Sequence, residues 1–168
     1  MLLLMFPTHV AVGYLMGAYS KYPIAYFVAG SAMPDLVDRP LYWLGVTEHA
    51  HSVGHSAFLA VPLSIVLIYV LGPRGIAFAV GWVVHLLTDA FNILTTQGLA
   101  AAPHLLTYPL NRPELNPQFT TYTIELPLVE ITHTAHPLVF AIEGVILLWA
   151  ALVIGRDSRN RWSATESS

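Results

Sequence analysis

Histidine and aspartate residues recur at short spacings in apolar parts of this sequence. His85 and Asp89 lie four residues apart in a strongly apolar segment, so on a helix they would project from one face with Cβ atoms about 5–6 Å apart. Two such side chains can share one metal ion. Further residues of the two types fall at similar spacings elsewhere in the chain: His9, Asp35, Asp38, His51 and His55.

The residue types indicate the chemistry of such a site. Imidazole nitrogen and carboxylate oxygen suit zinc and, with more oxygen ligands, manganese. The chain has no cysteine, so thiolate ligands, disulfides and a cysteine nucleophile are excluded. An open catalytic site with a metal-activated water is then favoured over a closed structural cage, and this predicts hydrolase chemistry. We predict seven metal ligands, of which Asp35, His55 and Asp89 are also predicted to be catalytic: His9, Asp35, Asp38, His51, His55, His85 and Asp89.

Each of these residues also has a simpler interpretation. His9 alone fits an interfacial or packed histidine. Asp35 fits an N-cap, with Asp38 supporting the first helical turn. Asp89 fits a carboxylate that caps amides just past its helix, and the histidine pair at 51 and 55 fits a hydrated helix start. However, a carboxylate in a bilayer costs roughly 2.5–3.5 kcal/mol, so a set of such groups in apolar segments usually marks function.

The amino-acid composition indicates whether this chain folds in water or in a membrane. Of its 168 residues 55% are hydrophobic and 10% charged, and the mean hydropathy is +0.61, so a soluble globule would lack polar surface. The net charge of −3 and the seven scattered lysines and arginines offer no basic face for nucleic acid. The sequence therefore predicts a membrane protein with membrane lipids as partners and no nucleic-acid partner.

Runs of apolar residues predict where the helices lie in the sequence. Five segments are predicted as helices in or at the membrane: Pro7 to Tyr19, Tyr22 to Met33, Ser56 to Leu71, Gly75 to Phe91 and Pro137 to Ile154. The second is short for the ~20 residues of a full span. The connection from Gly72 to Gly75 is tight, which predicts that the third and fourth helices form an antiparallel hairpin.

Two segments are predicted to lie outside the bundle. Residues 95–134 contain prolines at 103, 109, 113, 117 and 127, which favours an ordered loop or interfacial lid. The tail 156–168 is polar and predicted to be flexible. The fold class is thus all-α, a single membrane-embedded domain of four or five helices over residues 1–155.

Basic residues predict the orientation, because cytoplasmic loops are enriched in lysine and arginine. If all five segments cross, Arg39 and Arg112 lie on one side and five basic residues on the other: Lys21, Arg74, Arg156, Arg159 and Arg161. We therefore expect a multi-pass protein of the cell membrane with a cytoplasmic C-terminus. The candidate ligands then fall toward the outer face. His133 and His136 are predicted on that side too, as extra ligands, proton carriers or a solvated cluster.

Four strings occur in a suggestive order over about the first hundred residues: Thr8 to Leu15, Met33 to Leu41, His51 to Ser56, and His85 to Ala90. In this order they resemble the membrane-bound metal-dependent hydrolases, which are similar to the zinc-dependent phospholipase C and single-strand nuclease superfamily. The resemblance implies a metal-dependent phosphodiesterase on a helical scaffold. It also implies metal-ligand roles for five residues: His9, Asp35, His55, His85 and Asp89.

The predicted function is hydrolysis of a small-molecule or lipid phosphoester by a metal-activated water. A lipid substrate is favoured because the site is expected to open at the depth of the headgroups. One alternative is a non-enzymatic membrane protein that uses the same residues as a metal or proton pathway. Another is a scaffold in which these polar residues only tie helices together, at about 0.6–2 kcal/mol for each bond.

Overall fold

The computed structural model describes residues 5–48, 51–97, 106–110, 121–126, 129–134 and 137–166. The described elements are five helices and one β hairpin: α1 (Met5–Ala18), α2 (Ile24–Trp43), α3 (Ala57–Leu71), α4 (Pro73–Gln97), β1 (Thr121–Leu126), β2 (Val129–Thr134) and α5 (Pro137–Glu166). The helical fold class predicted from the apolar runs is confirmed.

The hairpin of α3 and α4 has the predicted form. Ser56 caps the start of α3, where its side chain accepts a hydrogen bond from the Phe58 amide. Gly72 turns the chain with a φ of +56°, a conformation that favours glycine. At the turn Gly75 lies against the backbone of Leu67, while the distant parts of the two helices meet where Ala60 packs against Trp82 and Leu86. The two helices are therefore antiparallel neighbours.

The predicted end of the second helix at Met33 is wrong, because α2 continues to Trp43 through Pro34 and Pro40. A proline inside a helix removes a single amide donor and crowds the preceding turn. Here Pro34 is fully buried, so tertiary packing compensates for the lost hydrogen bond. As a consequence Asp35 and Asp38 lie on a helix, not in the expected loop, and Asp35 is no N-cap.

Helices α4 and α5 are longer than expected. Helix α4 begins at Pro73 and ends at Gln97, and α5 continues to Glu166 through most of the segment predicted as a polar tail. Residues 156–166 contain neither glycine nor proline, the two residues that interrupt helices most strongly. Polarity alone therefore did not end the helix.

The proline-rich segment contains regular structure that was not expected. Strands β1 and β2 pair antiparallel from Thr121 opposite Thr134 to Leu126 opposite Val129. Four of the six residues of β1 are threonine, tyrosine or isoleucine, which favour strands. The segment predicted as a loop or lid thus contains a β hairpin over these residues.

The helices pack in a defined order that prepares the site. Helix α2 packs against both α1 and α4, α3 packs against α4, and α5 packs against α1. Glycines allow the closest approach: Gly30 of α2 lies against the backbone of Phe78, and Gly81 of α4 lies against the backbone of Phe27. This close crossing places the backbone of Ser31 next to His85.

Two described helices are long and apolar enough to cross a membrane, over Pro73–Thr95 and Leu138–Asn160. Helix α3 is apolar but shorter. Both α3 and α5 expose large apolar side chains, among them Phe58, Ile65, Tyr69, Val145, Leu148 and Leu152. An apolar surface of this kind fits contact with lipid, which supports the membrane association predicted from composition.

Candidate metal centre

Six of the seven predicted ligands meet at one point inside the helix bundle. Histidine and carboxylate atoms from four parts of the chain lie within coordination reach of one another, in three overlapping groups. Helix α1 supplies His9, α2 supplies Asp35, and α4 supplies His85 and Asp89. The connection between α2 and α3, residues 51–56, supplies His51 and His55 and is called the histidine loop below. His51 is half-buried, and the other five are buried.

The centre of the cluster is formed by three atoms: His55 Nε2, His85 Nε2 and Asp89 Oδ2. The two imidazole nitrogens are 3.0 Å apart. Asp89 Oδ2 lies 3.0 Å from His55 Nε2 and 3.2 Å from His85 Nε2. Two atoms bound to one zinc ion at about 2.0–2.2 Å lie roughly 3–3.5 Å apart, so the spacing suits a shared ion.

Hydrogen bonds to the Nδ1 atoms of His55 and His85 determine whether the Nε2 atoms of these rings carry a proton. His85 Nδ1 lies 2.6 Å from the Ser31 carbonyl oxygen, which only accepts, so Nδ1 carries a proton and donates. His55 Nδ1 lies 2.7 Å from Asp38 Oδ2 and donates to that carboxylate. In the neutral form of both rings the Nε2 atoms are therefore unprotonated and face each other.

A cation is required between these three atoms. Two nitrogen lone pairs and a carboxylate oxygen at about 3 Å repel one another unless a proton or a metal ion lies between them. Among the described residues and with these two rings neutral, both buried oxygens of Asp89 lack a well-directed hydrogen-bond donor, and the buried His9 Nδ1 and Asp35 Oδ2 also lack a well-directed partner. Buried acceptors of this kind are costly in an apolar interior. The donor set of imidazole and carboxylate suits a divalent ion such as zinc.

His9 and Asp35 extend the cluster on the side of α1. His9 Nε2 lies 3.1 Å from Asp89 Oδ1, and His9 Nδ1 lies 3.7 Å from Asp35 Oδ2. The other oxygen of Asp35 accepts a 2.9 Å hydrogen bond from Arg39 Nε. The two carboxylates are thus neutralised differently, since an arginine faces Asp35, whereas the described ionisable groups that face Asp89 are imidazoles.

His51 lies at the edge of the cluster. Its Nε2 is 3.6 Å from Asp89 Oδ2, and its ring meets that of His55 edge-on at 4.5 Å. The helical spacing considered for the pair is not observed, because α3 begins only at Ala57. A folded loop nevertheless brings the two rings together.

The two histidines of the loop have opposite pKa shifts. Burial, followed by the nearby His55, lowers the pKa of His51 to about 4. Burial alone would also lower the pKa of His55, but hydrogen bonds to Asp38 and Asp89 outweigh it and raise that pKa to about 9. Without a metal, a proton on His55 is therefore the cation that relieves the repulsion at the centre.

Asp38, the seventh predicted ligand, lies behind His55 and outside the cluster. Its carboxylate is fully buried and accepts hydrogen bonds from the histidine loop. It faces the Nδ1 side of the His55 ring, whereas the converging atoms are on the Nε2 side. The structure therefore brings Asp38 to the site without directing it at the centre.

Three contributors to the site were missed in the sequence. They are Arg39, the Ser31 carbonyl and Trp82, whose indole donates a 2.9 Å hydrogen bond to the Gly54 carbonyl. The spacing of Asp35 and Arg39 by four residues was a detectable signal. Nothing in the sequence points to the other two. His133 pairs with Tyr122 through the backbone of β2, while His49 and His136 lie outside the described residues.

No protein-family model, curated protein or solved structure matches this chain significantly. The resemblance to membrane-bound metal-dependent hydrolases therefore stays a prediction that rests on the four sequence strings.

Proposed function

We propose that this protein is a membrane-bound, metal-dependent hydrolase that cleaves a phosphoester, with a lipid phosphodiester as the favoured substrate. One observation carries the proposal. Three buried acceptor atoms, on His55, His85 and Asp89, converge at 3.0–3.2 Å, and no donor among the described residues separates them when both rings are neutral. This arrangement favours a divalent cation, with zinc the first choice and manganese the second.

The set of ligands follows from the contacts. His55, His85 and Asp89 would hold the ion, while His9 and Asp35 lie close enough to complete its ligands or to hold a second ion. His51 is half-buried, and the distance from its Nε2 to Asp89 Oδ2 is 0.4–0.6 Å longer than the distances from the two central histidines to the same oxygen. It would therefore contribute least.

The chemistry follows from the ion and its charged neighbours. A bound divalent ion would supply a water nucleophile and polarise the phosphoryl group. Hydrolysis would join the water oxygen to phosphorus and break the ester P–O bond, and a proton would pass to the departing alcohol oxygen. Asp89 and Asp35 would position the water and accept its proton, and Asp38 holds the His55 imidazole in a single orientation. The predicted catalytic set, Asp35, His55 and Asp89, is retained in this proposal.

The location of the cluster supports a lipid substrate. Asp89 lies six residues before the end of the apolar span at Thr95, which corresponds to about 9 Å along a helix. At that depth the polar groups of a lipid, rather than those of a water-soluble substrate, are the nearest phosphoesters. We further propose a multi-pass arrangement with the site toward the outer face and the C-terminus in the cytoplasm, as the basic residues indicate.

The alternative function, a metal or proton pathway, would use the same residues. It would also require further polar residues at intervals across the helix bundle. Among the described side chains, Glu143 of α5 is the one buried charged group outside the cluster and its partner Asp38. The concentration of buried charge at one place favours a reaction centre over a pathway.

The experiment compares metal content and activity. Wild-type protein, Asp89→Asn and the control Asp157→Asn are purified in detergent, and their zinc and manganese are measured. Hydrolysis of a phosphatidylcholine vesicle and of a generic phosphodiester is then assayed with and without a chelator. Asp157 is a matched control because it is a half-buried carboxylate on α5 that pairs with Tyr14 and Arg156 and lies outside the cluster.

We expect wild-type and Asp157→Asn protein to hold metal and to hydrolyse at least one of the two substrates, with activity lost on chelation and restored by zinc or manganese. Asp89→Asn should hold little metal. Equal metal in all three proteins would overturn the centre itself. Metal without hydrolysis would favour the pathway, and hydrolysis of the soluble ester alone would reject the lipid substrate.

A further inference from the structure

We propose that Asp38 is a positioning residue that fixes the place and the tautomer of His55, and that it does not bind the metal. This inference rests on the proposed function, since it concerns how the same site is held in shape. It also revises one residue of the predicted ligand set.

The carboxylate of Asp38 is already engaged by four N–H groups of the histidine loop. Oδ2 accepts from the Ser52 amide at 2.6 Å, from the His55 amide at 3.3 Å and from His55 Nδ1 at 2.7 Å, while Oδ1 accepts from the Gly54 amide at 2.7 Å. An ionised carboxylate offers about four lone-pair sites. Three of the N–H groups bind Oδ2 and one binds Oδ1, so the carboxylate is committed mainly to the loop.

These bonds fold the histidine loop around one side chain of α2. Three backbone amides of the loop point at a single carboxylate, so Asp38 determines the path of the chain from Ser52 to His55. The fourth bond holds the His55 ring with Nδ1 toward Asp38, and Nε2 is thereby directed at His85 and Asp89. Such a carboxylate–histidine pair fixes the tautomer and raises the basicity of a metal-binding imidazole.

The opposite side of the loop is held as well. Trp82, fully buried on α4, donates to the Gly54 carbonyl at 2.9 Å. Gly54 itself has no room for a side chain, because a Cβ there would lie 2.7 Å from the Pro34 carbonyl oxygen and 2.9 Å from the Pro34 Cα. The loop is therefore held between α2 and α4, and His55 directly follows the closely packed Gly54.

The first test reads the His55 ring directly. Imidazole nitrogen NMR is recorded on 15N-histidine-labelled wild-type protein in detergent, with and without Zn²⁺, and the His55 signal is assigned from its loss in His55→Gln. We expect a proton on Nδ1 in both samples and, in the zinc sample, coordination through Nε2. Coordination through Nδ1, or an Nδ1 without a proton, would overturn the inference.

The second test separates a positioning residue from a ligand. Zinc affinity and zinc content at saturation are measured for Asp38→Asn and Asp89→Asn, with Asp157→Asn as the control. We expect Asp38→Asn to bind zinc 10–100-fold more weakly but to reach the wild-type content, whereas Asp89→Asn stays depleted. A reduced zinc content of Asp38→Asn at saturation, or an unchanged affinity, would reject the positioning role.

The two proposals fail in different ways. If wild-type protein binds no zinc or manganese, the proposed function fails, and the metal-free NMR spectrum still shows whether Asp38 holds the Nδ1 proton of His55. If Asp38→Asn does not fold, the spectrum of the wild-type protein decides the inference by itself. A wild type that binds zinc through His55 Nδ1 contradicts only the role of Asp38.

Discussion

Asp89 and Asp35 are two carboxylates of one site whose negative charges are neutralised by different neighbouring side chains. Arg39 donates to Asp35 at 2.9 Å and supplies a permanent positive charge, so this carboxylate is neutralised without a metal. Among the described residues, the ionisable groups that face Asp89 are imidazoles, from His55 at 3.0 Å to His51 at 3.6 Å. Its charge is therefore balanced only by a proton on an imidazole or by a metal ion, and Asp89 is the residue on which the cluster depends most.

The histidines should differ in their importance for metal binding. His85 Nε2 is buried and in contact with two other candidate ligand atoms, while His51 is half-buried and at the edge. We expect His85→Ala to abolish zinc binding at micromolar zinc and His51→Ala to weaken it by about tenfold, or roughly 1.4 kcal/mol. Calorimetric titration with Zn²⁺ measures both, and a larger loss in His51→Ala than in His85→Ala would reverse the assignment.

The two loop histidines predict how pH affects the metal-free protein. The pKa of His55 is raised to about 9, so its stabilisation is complete below about pH 6.5 and is lost as the pH rises through 9. The pKa of His51 is lowered to about 4, so its contribution is complete above about pH 6.5 and is lost as the pH falls through 4.

We therefore expect thermal unfolding in detergent with a chelator to show a maximum of stability near pH 6–7 and a decline toward pH 9. Zinc should remove the alkaline decline, because metal binding needs deprotonated imidazoles and takes the place of the proton. A metal-free protein whose unfolding temperature does not change between pH 7 and 9.5 would contradict the raised pKa of His55.

The crossing of helices α2 and α4 positions more residues of the site than any other pair of described elements. These helices carry Asp35, Asp38, His85 and Asp89, and the Ser31 carbonyl of α2 orients the His85 ring of α4. The hydrogen bond requires close backbones, which the glycines at positions 30 and 81 permit. Small residues at helix crossings serve this purpose in membrane proteins generally.

A methyl group at this crossing should disturb both stability and metal binding. A Cβ at Gly81 would overlap the carbonyl oxygen of Phe27, so Gly81→Ala forces the helices apart at a cost of about 1–3 kcal/mol. Because His85 is one turn further along α4, we expect weaker zinc binding as well. Thermal unfolding and zinc titration in detergent measure the two effects.

Gly144→Ala is the matched control for that substitution. Gly144 lies within α5, and a Cβ there meets nothing within 4 Å. Alanine is favoured over glycine inside a helix, so this variant should be as stable as wild type or slightly more so. Equal behaviour of the two alanine variants would show that the close crossing does not support the site.

On the scale of the whole molecule, the outer surface is suited to an apolar environment, whereas the site is suited to a polar one. Helices α3 and α5 expose large apolar side chains over much of their length, whereas the buried charges gather around one cluster. Lipid around the helices and a cluster of polar groups between them satisfy both requirements. The proposed hydrolysis would then take place within reach of amphiphilic substrates.

A charge on the exposed face of α5 should prevent stable membrane insertion. Leu148 is 62% exposed in the middle of the apolar part of α5, and an arginine at the centre of a span costs about 2.5–3.5 kcal/mol on insertion scales. We expect Leu148→Arg to lower the carbonate-resistant membrane fraction severalfold. Ser158→Arg, an exposed position near the polar end of the same helix, should leave that fraction unchanged. A carbonate-resistant Leu148→Arg protein would argue against α5 as a span.

The sequence by itself determined the helical class, the tight hairpin at Gly72 and the residues worth examining. These depend on composition and on spacing within one segment, such as the four residues between His85 and Asp89. The length of α2 was not determined in this way. Local rules end a helix before Pro34, whereas burial of that proline between neighbouring elements allows the helix to continue.

The tertiary structure alone decided which of the candidate residues meet and in what roles. His9 and Asp89 are far apart in the chain, and their 3.1 Å separation follows from how α1 and α4 pack around α2. The distinction between Asp35 and Asp38 also belongs to this level. Their residue type is the same, but one faces the converging histidines while the other accepts hydrogen bonds from four N–H groups of a folded loop. Coordination depends on direction in space, and spacing along one segment contains no information about the segments that pack against it.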